Sequence, residues 1–198
     1  MSLSKAPFTI ALLVINIIVF GLDQLSAQDP RSGLHQFMLL GAIIPDAVAA
    51  GQYYRIITSG FLQFSISHIA FNMYALTQAG MVVENLWGSP NFLLIYMSAL
   101  IVGGVAAYET TIGTGNVTAG ASGAIMGLFG ALAALGVKTP RLRQTLLQWA
   151  LFPIVATLAV GFTTPGISNA GHIGGVIAGA IVGFVLPTRR MGVTQEEA

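Results

Sequence analysis

The chain has 198 residues, of which 55% are hydrophobic and only 8% charged, with a mean hydropathy of +0.79. A soluble domain carries about 25% charged residues, so this composition excludes a surface that water can cover and points to lipid as the solvent. The formal net charge of +1 gives no electrostatic basis for binding nucleic acid, no Lys/Arg run marks a polybasic lipid anchor, and the absence of Cys excludes disulfides, thiolate catalysis and Cys-based metal sites.

In chain order, Lys5 precedes an apolar run from Pro7 to Leu22. Leu25-Ser26-Ala27 loosely resembles a signal-peptidase site, but the run is long for a signal peptide, so a retained first helix near 7–25 is expected. Residues 26–65 hold Pro30, Gly33, Pro45 and Gly51 together with the apolar patch Phe37-Met38-Leu39-Leu40, a mixture that predicts one long, partly buried interfacial loop. Beyond it, Asp, Glu, Lys and Arg are absent from 56–83, 85–108, 110–137 and 144–188. A spanning helix needs about 20 residues, and the last stretch has room for two, with a break at Thr163-Thr164-Pro165-Gly166. Five more helices are therefore expected, near 66–86, 90–109, 121–137, 144–162 and 169–187. The fold class so read is an all-α membrane protein: a six-transmembrane-helix bundle in a single domain, 1–198, without repeats or low-complexity tracts.

Positive charge orients the spans. With the N-terminus inside, Lys5, Lys138, Arg141, Arg143, Arg189 and Arg190 are cytoplasmic, and only Arg31 and Arg55 lie outside. Both termini are then cytoplasmic and the long first loop is external. Small residues mark the packing: Gly123, Ala124, Gly127, Gly130, Ala131, Ala133 and Ala134 in the fourth helix, and Gly171, Gly175 and Gly179 at four-residue spacing in the sixth. Without water, close backbone approach drives helix association, so these two helices are expected to be neighbours, with the fourth at the centre.

Uncompensated polar groups in a membrane are costly and ask for a reason. His68, Asn72, Ser122 and His172 stand out. The orientation brings His68, Ser122 and His172 to one level, at the outer ends of three helices that run the same way. His68 and Asn72, four residues apart, share a helix face and can aim two donors at one oxygen. Ser122, between Gly120-Ala121 and Gly123, lies near a helix N-terminus, where free N–H groups favour developing negative charge. Glycine lets the backbone turn sharply there. Serine needs a base. Of the three histidines, His35 is in the loop and His68 shares its face with Asn72, which leaves His172. No acid completes a triad: Glu84, Glu196 and Glu197 lie on the wrong side, and Asp23, Asp29 and Asp46 lie in or beside the loop. Glu109 has the right side but no evident link to His172, so a Ser–His dyad is the simpler reading and an orienting Glu109 the alternative. Arg55 is read as tying the loop to carbonyls or headgroups, Glu84 as a cap or interhelical hydrogen bond, His35 as a plain interfacial residue, and Trp87 and Trp149 as anchors or packing.

Taken together, Gly120-Ala121-Ser122-Gly123, His68-Ile69-Ala70-Phe71-Asn72 and Asn169-Ala170-Gly171-His172-Ile173-Gly174-Gly175 resemble the signature of rhomboid proteases. Tyr54-Arg55 resembles the family's aromatic-Arg element, and Glu84, Gly88, Gly175 and Gly179 fit its helix ends and small-residue stripe. The resemblance runs from about residue 52 to 186. It implies an intramembrane serine endopeptidase in a cell membrane, with Ser122 as nucleophile and His172 as base. It implies an oxyanion site formed by the Ser122 N–H, His68 and Asn72, and support from Gly120, Gly123, Met126 and Asn169. One oxyanion donor contributes about 3–4 kcal/mol. The implied partners are transmembrane substrate proteins and the bilayer, with no metal and no cofactor. Substrates would be cut near the outer face beside small residues, and the fifth helix and the 163–168 loop would move to admit them. Met126 departs from the pattern, since the family commonly has a Tyr stacked on the histidine at that position; Tyr54 stands where Trp is common. A non-catalytic binder on the same fold predicts loss of Ser or His, a transporter predicts paired charges in broken helices, and a soluble hydrolase predicts Gly-x-Ser-x-Gly; the chain has none of these.

Overall fold

The structure is a computed structural model that describes residues 6–31, 33–164 and 166–189; Lys5, Pro165, Arg190, Glu196 and Glu197, used above for orientation, the helix break and the search for an acid, lie outside the described residues. Among the described residues the regular structure is helical, apart from the isolated bridges Gln28–His35 and Ile43–Thr118. Helix α1 spans Pro7–Leu25. The long helices that follow are α5 (Ile66–Trp87), α6 (Ser89–Thr111), α7 (Ser122–Lys138), α8 (Arg143–Thr163) and α9 (Asn169–Val185). Three stretches are long and apolar enough, by length and composition, to cross a membrane: Pro7–Leu25, Ser89–Thr111 and Pro140–Thr163. Helices α7 and α9 are apolar but shorter.

Residues 26–65 are more ordered than the single loop expected. They form α2 (Gln36–Gly41), α3 (Pro45–Ala49), α4 (Arg55–Thr58) and a 3-10 turn at Ser59–Phe61. The reason lies in long-range capping. The Met38 N–H, in the first turn of α2, donates to Oδ1 of Asp23, a buried residue of α1. At the other end of α2, the buried Arg55 guanidinium donates to the carbonyls of Leu39 at 2.9 Å and Ala42 at 2.8 Å, and its Nε donates to Gln52 Oε1 at 2.7 Å. A forked cation at a helix C-terminus satisfies carbonyls that have no intrahelical partner. The carbonyl tie expected of Arg55 is thus present.

Glu84 does the converse for α1. Fully buried, its carboxylate accepts from the N–H of Phe8 at 3.1 Å and of Thr9 at 2.8 Å, from Thr9 Oγ1 at 2.8 Å, and from Ser89 Oγ at 2.7 Å. An acid at a helix N-terminus fills orphan donors and complements the dipole. Helices α1, α5 and α6 are thereby clamped at one end.

Helix α7 is buried along most of its length. It meets α9 through glycine. A Cβ added at Gly175 would collide with the Gly123 carbonyl oxygen, one at Gly179 with the Gly127 carbonyl, and one at Gly130 with the Val176 carbonyl. Backbone therefore lies on backbone, the arrangement that small residues permit. Gly103 of α6 joins them: its Cβ would stand 2.7 Å from the Gly171 carbonyl oxygen. By contrast, the Pro140–Thr163 stretch is only 11% buried, against 39% for Ser89–Thr111. Helix α8 contains Pro153 and leans on α7 through the Phe129–Trp149 ring pair, with centroids 6.3 Å apart.

Candidate active site

Three helix N-termini converge on one cavity. Ser65 caps α5 by accepting from the His68 N–H at 3.1 Å, which fixes the first turn that carries His68. Ser168 caps α9 in the same way through the Gly171 N–H at 3.1 Å, one residue before His172. Both are standard N-caps, with a serine oxygen taking a third-residue donor. Ser122 is the first residue of α7. The cavity, about 1360 Å³, lies between α5 and α8 and is lined by His68, Asn72, Ser122, Met126 and His172 together with apolar side chains of α8.

Ser122 Oγ lies 2.8 Å from His172 Nε2. Tight packing of α7 on α9 makes this possible, because Gly123 follows Ser122 and rests against the Gly171 carbonyl, which precedes His172. His172 is buried, and its Nδ1 has no hydrogen-bond partner among the described residues. Glu109 is exposed and makes no bond to it, so the alternative of an orienting acid gains nothing here.

His68 is oriented twice over. Its Nδ1 accepts from the Phe64 N–H at 3.3 Å, and its ring stacks on Phe64 with centroids 6.1 Å apart and 14° between the planes. A backbone N–H can only donate, so in the neutral ring the proton sits on Nε2. That side of the ring faces the turn before Ser122: a Cβ at Gly120 would stand 2.8 Å from His68 Cε1, 3.0 Å from Nε2 and 3.6 Å from Ser122 Oγ. Gly120 itself has φ +138, a conformation that favours glycine, and its N–H donates to the Ser59 carbonyl at 2.9 Å. Glycine is required here both for the turn and for the space beside the imidazole.

Asn72 lines the same cavity, and its Nδ2 donates to Gln63 Oε1 at 2.7 Å. Gln63 Nε2 donates to Asn16 Oδ1 at 3.1 Å, and Asn16 Nδ2 to the Leu12 carbonyl at 2.9 Å. Gln63 and Asn16 were not among the candidates drawn from the sequence. A signal existed, since each is an amide in an apolar stretch, but it did not say what they touch. Of the expected supporting residues, Met126 is buried one turn below Ser122, and Gly123 forms the α7–α9 contact. Asn169 turns away from the dyad to hold α8, its Nδ2 donating to the Leu158 carbonyl at 3.2 Å. No group of three or more His, Cys, Asp or Glu side chains among the described residues is placed to hold a metal ion.

Comparison with known proteins identifies the family of the chain. Residues 50–189 match the model of the Rhomboid domain. The chain is 32% identical over 189 residues to the rhomboid protease GluP of Bacillus subtilis (strain 168), covering 95% of this chain and 36% of that protein. It is 32% identical over 153 residues to RHOMBOID-like protein 5 of Arabidopsis thaliana, covering 76% and 49%. It is 30% identical over 208 residues to the rhomboid protease AarA of Providencia stuartii, covering 91% and 73%. The chain thus spans less than half the length of the first two relatives and most of the third.

Proposed function

Because the chain belongs to the rhomboid family and is a multi-pass membrane protein, we propose that it is an intramembrane serine endopeptidase that cuts transmembrane substrate proteins with Ser122 and His172. The observation that carries the proposal is the 2.8 Å approach of Ser122 Oγ to His172 Nε2 in a cavity also lined by His68 and Asn72.

In this reading the Ser122 hydroxyl attacks the scissile carbonyl while His172 Nε2 takes its proton. The carbonyl oxygen becomes an oxyanion, for which three donors are at hand. The Ser122 N–H belongs to the first turn of α7, where backbone donors have no partner inside the helix. His68 presents the protonated Nε2 that its Phe64 contact dictates. Asn72 has a second Nδ2 hydrogen beyond the one given to Gln63. His172 then returns the proton to the leaving amine. Water in the cavity, activated by the same imidazole, hydrolyses the acyl-enzyme.

The membrane arrangement that goes with this chemistry is a bundle of six spans, α1 and α5 to α9, in a prokaryotic plasma membrane with both termini cytoplasmic. The segment 26–65 lies at the outer interface, and the cleavage site lies near the outer face. The N-terminal ends of α5, α7 and α9 then share one level, as the cavity they line requires.

Ser122→Ala and His172→Ala are each expected to abolish cleavage of a model transmembrane substrate by purified protein in proteoliposomes, with the unfolding midpoint nearly unchanged. A serine-directed fluorophosphonate is expected to label Ser122. Undiminished cleavage by Ser122→Ala protein would end the assignment.

A further inference from the structure

Asn72, Gln63 and Asn16 come from α5, from the residues just before it and from α1, and all three are buried. They form one line of amides that ends on a backbone carbonyl. The end of the line sets the direction of every member. The Leu12 carbonyl can only accept, so Asn16 turns its NH2 group to Leu12 and its oxygen to Gln63. Gln63 must then turn its NH2 group to Asn16 and its oxygen to Asn72. Asn72 in turn must present its own NH2 group. Each amide, which alone could sit either way round, is fixed by a carbonyl three side chains from the cavity. An apolar side chain at Gln63 would fill the same space but leave the Asn72 amide free to rotate.

We propose that Gln63 is a positioning residue that holds the Asn72 amide with its NH2 group toward the oxyanion position, and that Asn16 anchors Gln63 in that orientation. The inference rests on the reading of Asn72 as an oxyanion donor. A donor must be aimed before charge develops if it is to lower the barrier, and the comparable partners that orient metal-ligating side chains are worth about 10–100-fold in affinity or activity.

The test uses the full chain in proteoliposomes with a transmembrane model substrate, with kcat, KM and the unfolding midpoint measured for each variant. Gln63→Met keeps the length and removes the acceptor; kcat is expected to fall about tenfold with KM unchanged. Gln63→Glu keeps an oxygen for Asn72 whether its carboxyl is charged or neutral; kcat is expected to stay near the wild-type value even where the midpoint falls. In an Asn72→Ala background, Gln63→Met is expected to cost nothing further, because the group it positions is gone. Asn16→Ala loosens the far end of the line and is expected to lower kcat less than Gln63→Met does, which provides a second route if Gln63→Met does not accumulate.

A purely structural Gln63 would make kcat follow the midpoint across these variants, and that result overturns the proposal. Additive losses from Gln63→Met and Asn72→Ala, or full kcat in Gln63→Met or in Asn16→Ala, overturn it as well. If Asn72→Ala loses activity while Gln63→Met does not, the inference about Gln63 alone fails. If Asn72→Ala is fully active, the underlying reading fails and takes the inference with it.

Discussion

Gly175→Ala adds one methyl group where α9 meets α7, and its consequence can be followed atom by atom. The new Cβ would collide with the Gly123 carbonyl oxygen and stand 2.8 Å from the Gly123 carbonyl carbon. Carbon atoms pack at about 3.5–4.0 Å, and carbon against a carbonyl oxygen at about 3.3 Å or more. The obstacle is backbone, which cannot rotate aside, so the two helices must part by about 1 Å. Gly123 adjoins Ser122, and Gly175 is less than one turn from His172. The parting therefore stretches the 2.8 Å Ser122–His172 contact to about 3.8 Å, beyond hydrogen-bond range. Overpacking of this kind costs about 1–3 kcal/mol of stability, and a misplacement of about 1 Å in a catalytic pair costs about 100-fold in rate. Cleavage of a transmembrane model substrate and thermal unfolding in the same detergent read the two effects separately. Gly183→Ala, toward the far end of α9, meets Ala131 Cβ at 2.6 Å and is expected to lower the unfolding midpoint with a smaller loss of kcat. Gly21→Ala has nothing within 4 Å and serves as the control. A Gly175→Ala protein with full kcat and an unshifted midpoint would refute the reasoning.

Other substitutions probe separate supports. Gly120→Ala is expected to cut kcat about 100-fold, because its methyl would stand 2.8 Å from the His68 ring; His68→Ala should lose a similar amount through the missing donor, and full activity in either denies His68 its place at the oxyanion. Glu84→Gln places an amide among four donors from Phe8, Thr9 and Ser89 and is expected to cost about 2–3 kcal/mol in unfolding while kcat at a permissive temperature is unchanged. Arg55→Lys loses the fork that spans the Leu39 and Ala42 carbonyls; loss of about 1–2 kcal/mol and faster proteolytic nicking within 36–58 are expected, and equal nicking rates would argue against that tie.

The candidate site was legible in the sequence to the extent that its residues are chemically out of place. In a chain with 8% charged residues, histidines and a glycine-flanked serine in apolar stretches stand out, because lipid makes every polar group costly. Asn16 and Gln63 obey the same rule but have no motif around them, and an amide in a helix can be satisfied in many ways. Glu84 was legible as a structural acid; that it caps α1, 75 positions earlier in the chain, was not. Residues 26–65 read as loop because their helices are only four to six residues long, too short to form without tertiary contacts, such as those of Asp23 and Arg55 with α2 and the packing of Val48 in α3 with Ile43 and Ala107.

Composition and pattern alone determined that this chain is built for lipid, that its long apolar runs are helices there, and which few polar side chains stand out as candidates for chemistry. These follow from solvation and periodicity, which are local and additive along the chain. Tertiary structure alone decided how closely the His172 imidazole, the candidate that elimination left in the sequence, approaches Ser122, which way each buried amide faces, and which carboxylate caps which helix. Those outcomes depend on pairs such as Ser122 and His172, 50 positions apart, brought together where glycine lets two backbones touch. No local property of either residue encodes that distance.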